Sequence, residues 1–398
     1  MSEGPAHDSY DVVIIGGAIM GSATAFFLTD MDFDGRVLVV EMDPSYSQCS
    51  TAHTNSCIRQ QFSSALNVRI SQFGAAFITD LPRRMKDPEA PHLAIQNFGY
   101  LYLADNDAFA ETLRASHAVQ AACGAGTRLL TPDRIAEAYP FYNLDDIILG
   151  SHNTVNEGYF DGATVFDWFR RTARKRGVEY VTDEVVGLGR TGPRIDSVTL
   201  KSGRRIACGQ VVNAAGPRAA RIAAMAGIEL PVEPRKRYTW VFQAETPLDR
   251  PLPLTIDPSG VHVRQEGTQY YMAGGHADHD PAVEPDDFGM DHSLWQDHVW
   301  PALAGRIPAF EAIKVMNEWV GHYAYNTLDQ NAILGPHPEI TNFHFQNGFS
   351  GHGLQQSPAM GRGMAELLTT GEYRSLDLSP FGFERIATHT PLVEKAVI

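Results

Sequence analysis

The chain has 398 residues, 47 of them acidic and 32 basic, so it carries a net charge of −15 at neutral pH. That field excludes a nucleic-acid surface or an anionic membrane as partner, while clustered arginines can still offer a local site to an acidic small molecule. A hydrophobic fraction of 43% and a charged fraction of 20% fit an enzyme with a large core, long enough for two connected domains.

The chain opens with Val12-Val13-Ile14-Ile15-Gly16-Gly17-Ala18-Ile19-Met20-Gly21, an apolar strand breaking at a glycine turn into a helix that takes in residues 23–28. A second apolar strand ends in Glu41, 25 residues after Gly16. Strand, turn, helix, strand and acid in that order place a diphosphate on a helix N-terminus and a carboxylate on an adenosine ribose. One departure stands out: Ala18 occupies the place of the middle glycine, and its methyl crowds the pyrophosphate into a shifted turn. Residues 45–63 form a polar loop whose hydroxyls and amides, Ser50 and Thr51 among them, suit a cofactor wall. The four cysteines, Cys49, Cys57, Cys123 and Cys208, have neither metal spacing nor a disulfide framework. The polar residues 1–10 lack a secretory signal and no apolar run has the length of a membrane span, so a cytoplasmic location is expected.

Residues 67–139 read as helices around a short strand at 99–104. A turn at 158–162 leads into a basic amphipathic helix over 163–176, then strands at 178–181, 185–188, 197–200, 205–207 and 210–214. The last of these breaks at Gly216-Pro217 into a helix over 219–225, which returns the chain to the first sheet and brings Val185, Ala215 and Gly216 towards the cofactor. Alternating runs at 238–243, 261–265 and 269–274 predict an antiparallel sheet. The chain ends in a strand at 343–346, the glycine-rich loop Gly348-Phe349-Ser350-Gly351-His352-Gly353 and a helix over 357–368. The fold class is α/β, α+β overall: a Rossmann-like domain (1–90, 150–230 and 325–398) with an inserted antiparallel substrate domain (91–149 and 231–324).

These blocks, with Arg59-Gln60-Gln61-Phe62-Ser63, Glu233-Pro234-Arg235-Lys236-Arg237-Tyr238, Tyr325-Asn326-Thr327-Leu328-Asp329-Gln330-Asn331 and Asp377-Leu378-Ser379-Pro380-Phe381, resemble the D-amino-acid oxidase superfamily of flavoproteins. Within it the chain resembles the sarcosine oxidase and dimethylglycine dehydrogenase branch, and in particular the FAD-dependent oxidoreductase domain-containing protein 1 group. The resemblance covers roughly residues 10–385. It implies FAD as cofactor and oxidation of a secondary or tertiary amine beside a carboxylate, such as sarcosine or iminodiacetate. The imine then hydrolyses, and dioxygen or another acceptor reoxidises the flavin. The expected assembly is a monomer or small homo-oligomer. Two rivals are a non-catalytic flavin-dependent assembly factor for a respiratory complex and an NAD(P)-binding enzyme.

The FAD wall is expected to comprise Gly16, Gly17, Ala18, Met20, Gly21, Glu41, Ser50, Thr51, His53, Val185, Ala215, Gly216, Gly348, Gly351, His352, Gly353, Leu354 and Gln355. The N–H groups of the late glycine loop can stabilise charge on a reduced ring; a plain turn is the alternative. By the resemblance, Arg59 holds the substrate carboxylate in a bidentate fork, against the alternative of a surface ion pair. His276 matches an active-site histidine. Gln355 stands where those oxidases carry a lysine, so Arg264 or one of Arg235, Lys236 and Arg237 must supply a second cation. Met272 falls at the lysine position associated with oxygen activation. His262 reads as a half-buried strand residue. No cysteine follows Cys208 to tether the flavin, whereas Ser50-Thr51-Ala52-His53 resembles a histidyl attachment stretch, with ordinary hydrogen bonding as the other reading of His53. The run His276-Ala277-Asp278-His279-Asp280 reads as a solvated loop and no metal is expected.

Overall fold

A computed structural model describes residues 4–276 and 279–395 of the chain. The first strand, Ser9–Ile15, sits at the centre of one sheet, between Arg205–Asn213 and Val37–Glu41, both parallel to it. Glu179–Thr182 and Phe343–Asn347 extend this sheet in parallel, and Ile333–Pro336 closes one edge antiparallel. A hairpin, Val185–Thr191 and Arg194–Leu200, runs antiparallel from Arg205–Asn213. The continuous apolar run of the first strand follows from cover on both faces. Val12 and Ile14 pack with the helices Ile19–Asp30, Ala65–Thr79, Gly162–Lys175 and Gly353–Thr370. Val13 and Ile15 point the opposite way, into a core shared with Ile195, Val198 and Ile222.

The second sheet runs in the order Ile313–Asn326, Val232–Ala244, Tyr270–Gly275, His262–Glu266, Leu254–Ile256, Tyr100–Ala104, Leu149–Asn153, Arg128–Leu130. All its pairings are antiparallel except Leu254–Ile256 with Tyr100–Ala104. Trp240, Phe242, Val263, Tyr271 and Ala273 turn to a core covered by Leu294, Val299, Leu303 and Phe310. A small ribbon, Cys57–Ile58 with Gly158–Tyr159, anchors the polar loop that precedes Arg59.

Several sequence expectations change here. The strands at 205–207 and 210–214 are one strand, Arg205–Asn213. The helix after the late glycine loop begins at Gly353 rather than 357 and contains Pro358. Proline has no N–H to give to the Leu354 carbonyl, and the Ser357 hydroxyl donates there instead at 2.9 Å. The 14-residue strand Ile313–Asn326 escaped the periodicity reading because much of it is only half-buried and lacks a clean alternation.

The helices Ile19–Asp30 and Gly353–Thr370 meet at Gly361, where a Cβ would lie 2.5 Å from Ala23 Cβ and 2.8 Å from its carbonyl carbon. Gly361→Val is therefore expected to destabilise the fold by ~1–3 kcal/mol through overpacking, read as a lowered denaturant midpoint. An unchanged midpoint would show that the two helices separate without cost.

Candidate active site

A long cavity runs between the two sheets, from Gly16, Ala18, Met20 and Glu41 at one end to Tyr238, Thr239 and His262 at the other. The turn at its head demands glycine. Gly16 has φ +101°, and a Cβ there would lie 2.5 Å from the Ala214 carbonyl oxygen. A Cβ on Gly21 would overlap the Gly16 carbonyl oxygen. Glu41 braces the turn, accepting from Gly17 N–H at 2.7 Å and from Asp43 N–H at 2.9 Å. Burial, set against these donors, holds its carboxyl above the usual range. Ala18 leads into the helix with no side-chain cap of its own and no acid in the first turn, a helix N-terminus suited to an anion, although the Ile19 N–H donates to Thr51 Oγ1 at 3.4 Å.

The loop before Gly353–Thr370, which also lines the cavity, takes positive φ at Gly348, Ser350 and Gly351. The Tyr323 ring packs so closely on Gly351 that a Cβ there would overlap it. Beside this loop lies Arg59, only 2% exposed. Its guanidinium donates to the Gln61 carbonyl, lies 3.1 Å from His352 Nε2 and sits 4.0 Å above the Phe62 ring. Its own N–H donates to Gln355 Oε1 at 2.9 Å. Burial and the Arg59 charge hold His352 well below the ordinary imidazole range, so it is neutral.

Of the expected site residues, Gly16, Ala18, Met20, Glu41, Ser50, Thr51, His53, Arg59, Val185, Ala215, Gly216, Gly351, His352, Gly353, Leu354 and Gln355 line this one cavity. Gly17, Gly21 and Gly348 shape its turns from behind. Ser50 Oγ donates to the His322 carbonyl at 2.6 Å, and His53 Nδ1 lies 3.1 Å from the Cys49 carbonyl oxygen.

Three candidates are placed outside the lining. Lys236 is held by Asp287 at 2.7 Å and by the Gly289 carbonyl at 2.9 Å. Arg264 pairs with Glu266 at 2.6 Å and lies 3.4 Å from Met272 Sδ. His276 follows the strand Tyr270–Gly275 and is not among the lining residues, although it lies near enough to His262 to act on that imidazole. Of the run from 276 to 280, Ala277 and Asp278 lie outside the described residues, and Asp280 pairs with Arg237 at 2.9 Å. Among the described residues no group of three or more His, Cys, Asp and Glu is arranged to hold a metal ion.

The sequence reading missed several lining residues, chiefly Arg218, Arg221, Tyr238, Thr239 and Tyr323, whereas Arg237, one of the cations it offered, does line the cavity. His262 lines the cavity too. Its Nε2 lies 2.9 Å from Asn55 Nδ2, and burial, with Arg264, His276 and Arg237 nearby, pushes its pKa down to about 4. Room for the ring comes from its cross-strand partner Gly274, a signal available only once the register is known.

The family profile described as FAD dependent oxidoreductase matches residues 11–367. The chain is 37% identical to FAD-dependent oxidoreductase domain-containing protein 1 of Xenopus laevis, over 98% of this chain and 85% of that protein. It is 25% identical to sarcosine oxidase subunit beta of an Arthrobacter species, over 96% and 92% of the two chains. The crystal structure of L-proline dehydrogenase from P. horikoshii superposes with a TM-score of 0.83 at 27% identity, covering 96% of this chain and 98% of that one.

The residues present fit FAD. The glycine turn and the helix N-terminus would hold a diphosphate, Glu41 would hold the ribose, and the same cavity takes in the glycine loop at Ser350–Gly353. Glu41→Ala removes the acceptor for the Gly17 and Asp43 amides, and is expected to weaken FAD binding by about 10- to 100-fold. Fluorescence titration of deflavinated protein measures this; unchanged affinity would remove Glu41 from the cofactor site.

Proposed function

The chain belongs to the family of FAD-dependent oxidoreductases, and within it we propose oxidation of a secondary or tertiary amine of an amino acid, an N-substituted glycine such as sarcosine or iminodiacetate. The observation that carries this reading is Arg59. It is a guanidinium buried at the cavity wall beside the glycine-rich loop, held on one side by Gln61 and His352. A guanidinium at a cavity wall can attract an anionic ligand, and its planar fork suits a carboxylate.

Bound FAD would supply the hydride acceptor for the carbon beside the substrate nitrogen, and hydrolysis of the oxidised amine would release a carbonyl compound and an amine. The protein's residues bind and orient. Arg59 fixes the carboxylate, and the Gln355 side chain fixes the Arg59 backbone. His352, being neutral, adds no second charge beside the guanidinium. Phe62 below Arg59 and buried Tyr100 and Tyr102 nearby keep water from the ion pair, which strengthens it. His262 offers an imidazole to the cavity wall, neutral near pH 7 and suited to orienting the amine.

Anaerobic mixing with a panel of N-substituted glycines should bleach the flavin band. A protein that no amine reduces would favour the non-catalytic assembly reading. Arg59→Ala is expected to lower kcat/KM for carboxylate-bearing amines roughly 30- to 4,000-fold, and Arg59→Lys less, because a desolvated pair is worth on the order of 2–5 kcal/mol and a surface pair under about 1. Unchanged kinetics would remove the clamp.

Slow reoxidation by dioxygen is also expected. Met272 brings no charge, and Arg264 beside it is paired with Glu266. Met272→Lys should accelerate the oxidative half-reaction in stopped flow and leave amine oxidation nearly unchanged. Fast reoxidation in the unmodified protein, abolished by Arg264→Met, would overturn this and identify Arg264 as the cation.

A further inference from the structure

Behind the Arg59 loop lies a carboxyl group that the reaction as described does not use. Glu157 is 0% exposed and stands in the turn between Leu149–Asn153 and Gly158–Tyr159. Its Oε1 accepts from the Gln60 backbone N–H at 2.6 Å and from Asn153 Nδ2 at 2.8 Å. Its Oε2 accepts from Gln61 Nε2 at 3.0 Å. Gln61 is also the residue whose carbonyl holds the Arg59 guanidinium. One buried carboxyl group therefore ties down both residues that follow the arginine.

We propose that Glu157 is the positioning residue of the Arg59 site, and that its carboxyl group takes up a proton when an anionic ligand docks on Arg59. The proposal rests on the reading of Arg59 as a carboxylate clamp. All three donors to Glu157 are neutral amides, and burial pushes its pKa up to about 7 while they and the Arg59 charge pull it back. An ionised Glu157 offsets part of the Arg59 field, and an anion arriving at Arg59 meets less net attraction. Protonation of Glu157 removes that offset. By linkage the anion must in turn favour the protonated carboxyl, so affinity is highest below about pH 7 and falls as the pH rises through it.

The groups packed around Glu157 leave that window clear. Tyr100 and Tyr102, on the neighbouring strand, feel both Arg59 and Glu157, and burial pushes both phenols up and away from neutrality. Glu394 acts on Tyr102 from the far side. His152, beside Asn153, is pushed down to about 4, and His352 lies well below its ordinary range. Gln60 and Gln61, from the Arg59 loop, bring no charge.

The test uses the FAD-loaded protein and methoxyacetate, a carboxylate with no amine to titrate, with its Kd followed through the flavin spectrum from pH 6 to 8.5. Two charges several ångströms apart in a protein of effective dielectric about 20 couple strongly enough to weaken binding about tenfold across that range. Calorimetry in two buffers of different ionisation enthalpy should record proton uptake on binding near pH 7.5. In Glu157→Gln both signals should vanish while methoxyacetate still binds. A Kd independent of pH, with no proton taken up by the unmodified protein, would overturn the proposal even if the variant fails to fold. Persistence of the full pH dependence in Glu157→Gln would overturn it as well. Failure of methoxyacetate to bind at any pH would sink the Arg59 clamp instead, and with it the premise.

Discussion

The burial of Arg59 is the constraint around which the rest of the site is arranged. Taking a guanidinium out of water costs several kcal/mol unless its donors and its charge find partners. The Gln61 carbonyl, His352 and the Phe62 face supply part of that compensation. Each of these is itself held. Gln61 is tied to Glu157 and accepts from Ser151, and His352 caps the long helix whose Gln355 reaches back to the Arg59 amide. Strands of the second sheet, the last helix of the first domain and the polar loop thus converge on one cation. That cation and the glycine turn line the same cavity.

The sequence made legible the features that depend on local sterics. Gly16 and Gly21 are required by contacts within the first strand–turn–helix unit, and Glu41 lies one helix later, where backbone amides need an acceptor. The late glycine loop was legible for the same reason. What stayed hidden depended on partners distant in sequence. Lys236 looked available as a cation, but Asp287, 51 residues away, holds it outside the cavity. Arg264 was a subtler case, since its partner Glu266 lies two residues along the same strand, where side chains share a face. His276 and His262 exchange prominence because the register pairs His262 with Gly274, and no local pattern announces that pairing. Glu157 carried no motif at all: its role follows from three donors brought together only by the fold.

The global charge and the local chemistry also come together at the cavity mouth. Arg218, Arg221 and Arg237 line the cavity, and on a protein of net charge −15 they form a basic patch facing inward. The acidic stretch from Asp280 to Asp287 meets it: Arg218 pairs with Asp286, Arg221 with Glu284, and Arg237 with Asp280. His322, another lining residue, lies 2.8 Å from the Asp287 carbonyl oxygen through Nε2, and Phe288 packs on its ring with centroids 4.5 Å apart. These outer pairs neutralise the rim, whereas Arg59 lies deeper, beside neutral imidazole and amide groups. A charge misplaced beside the buried guanidinium costs more than one misplaced beside a more exposed pair such as Arg221 and Glu284.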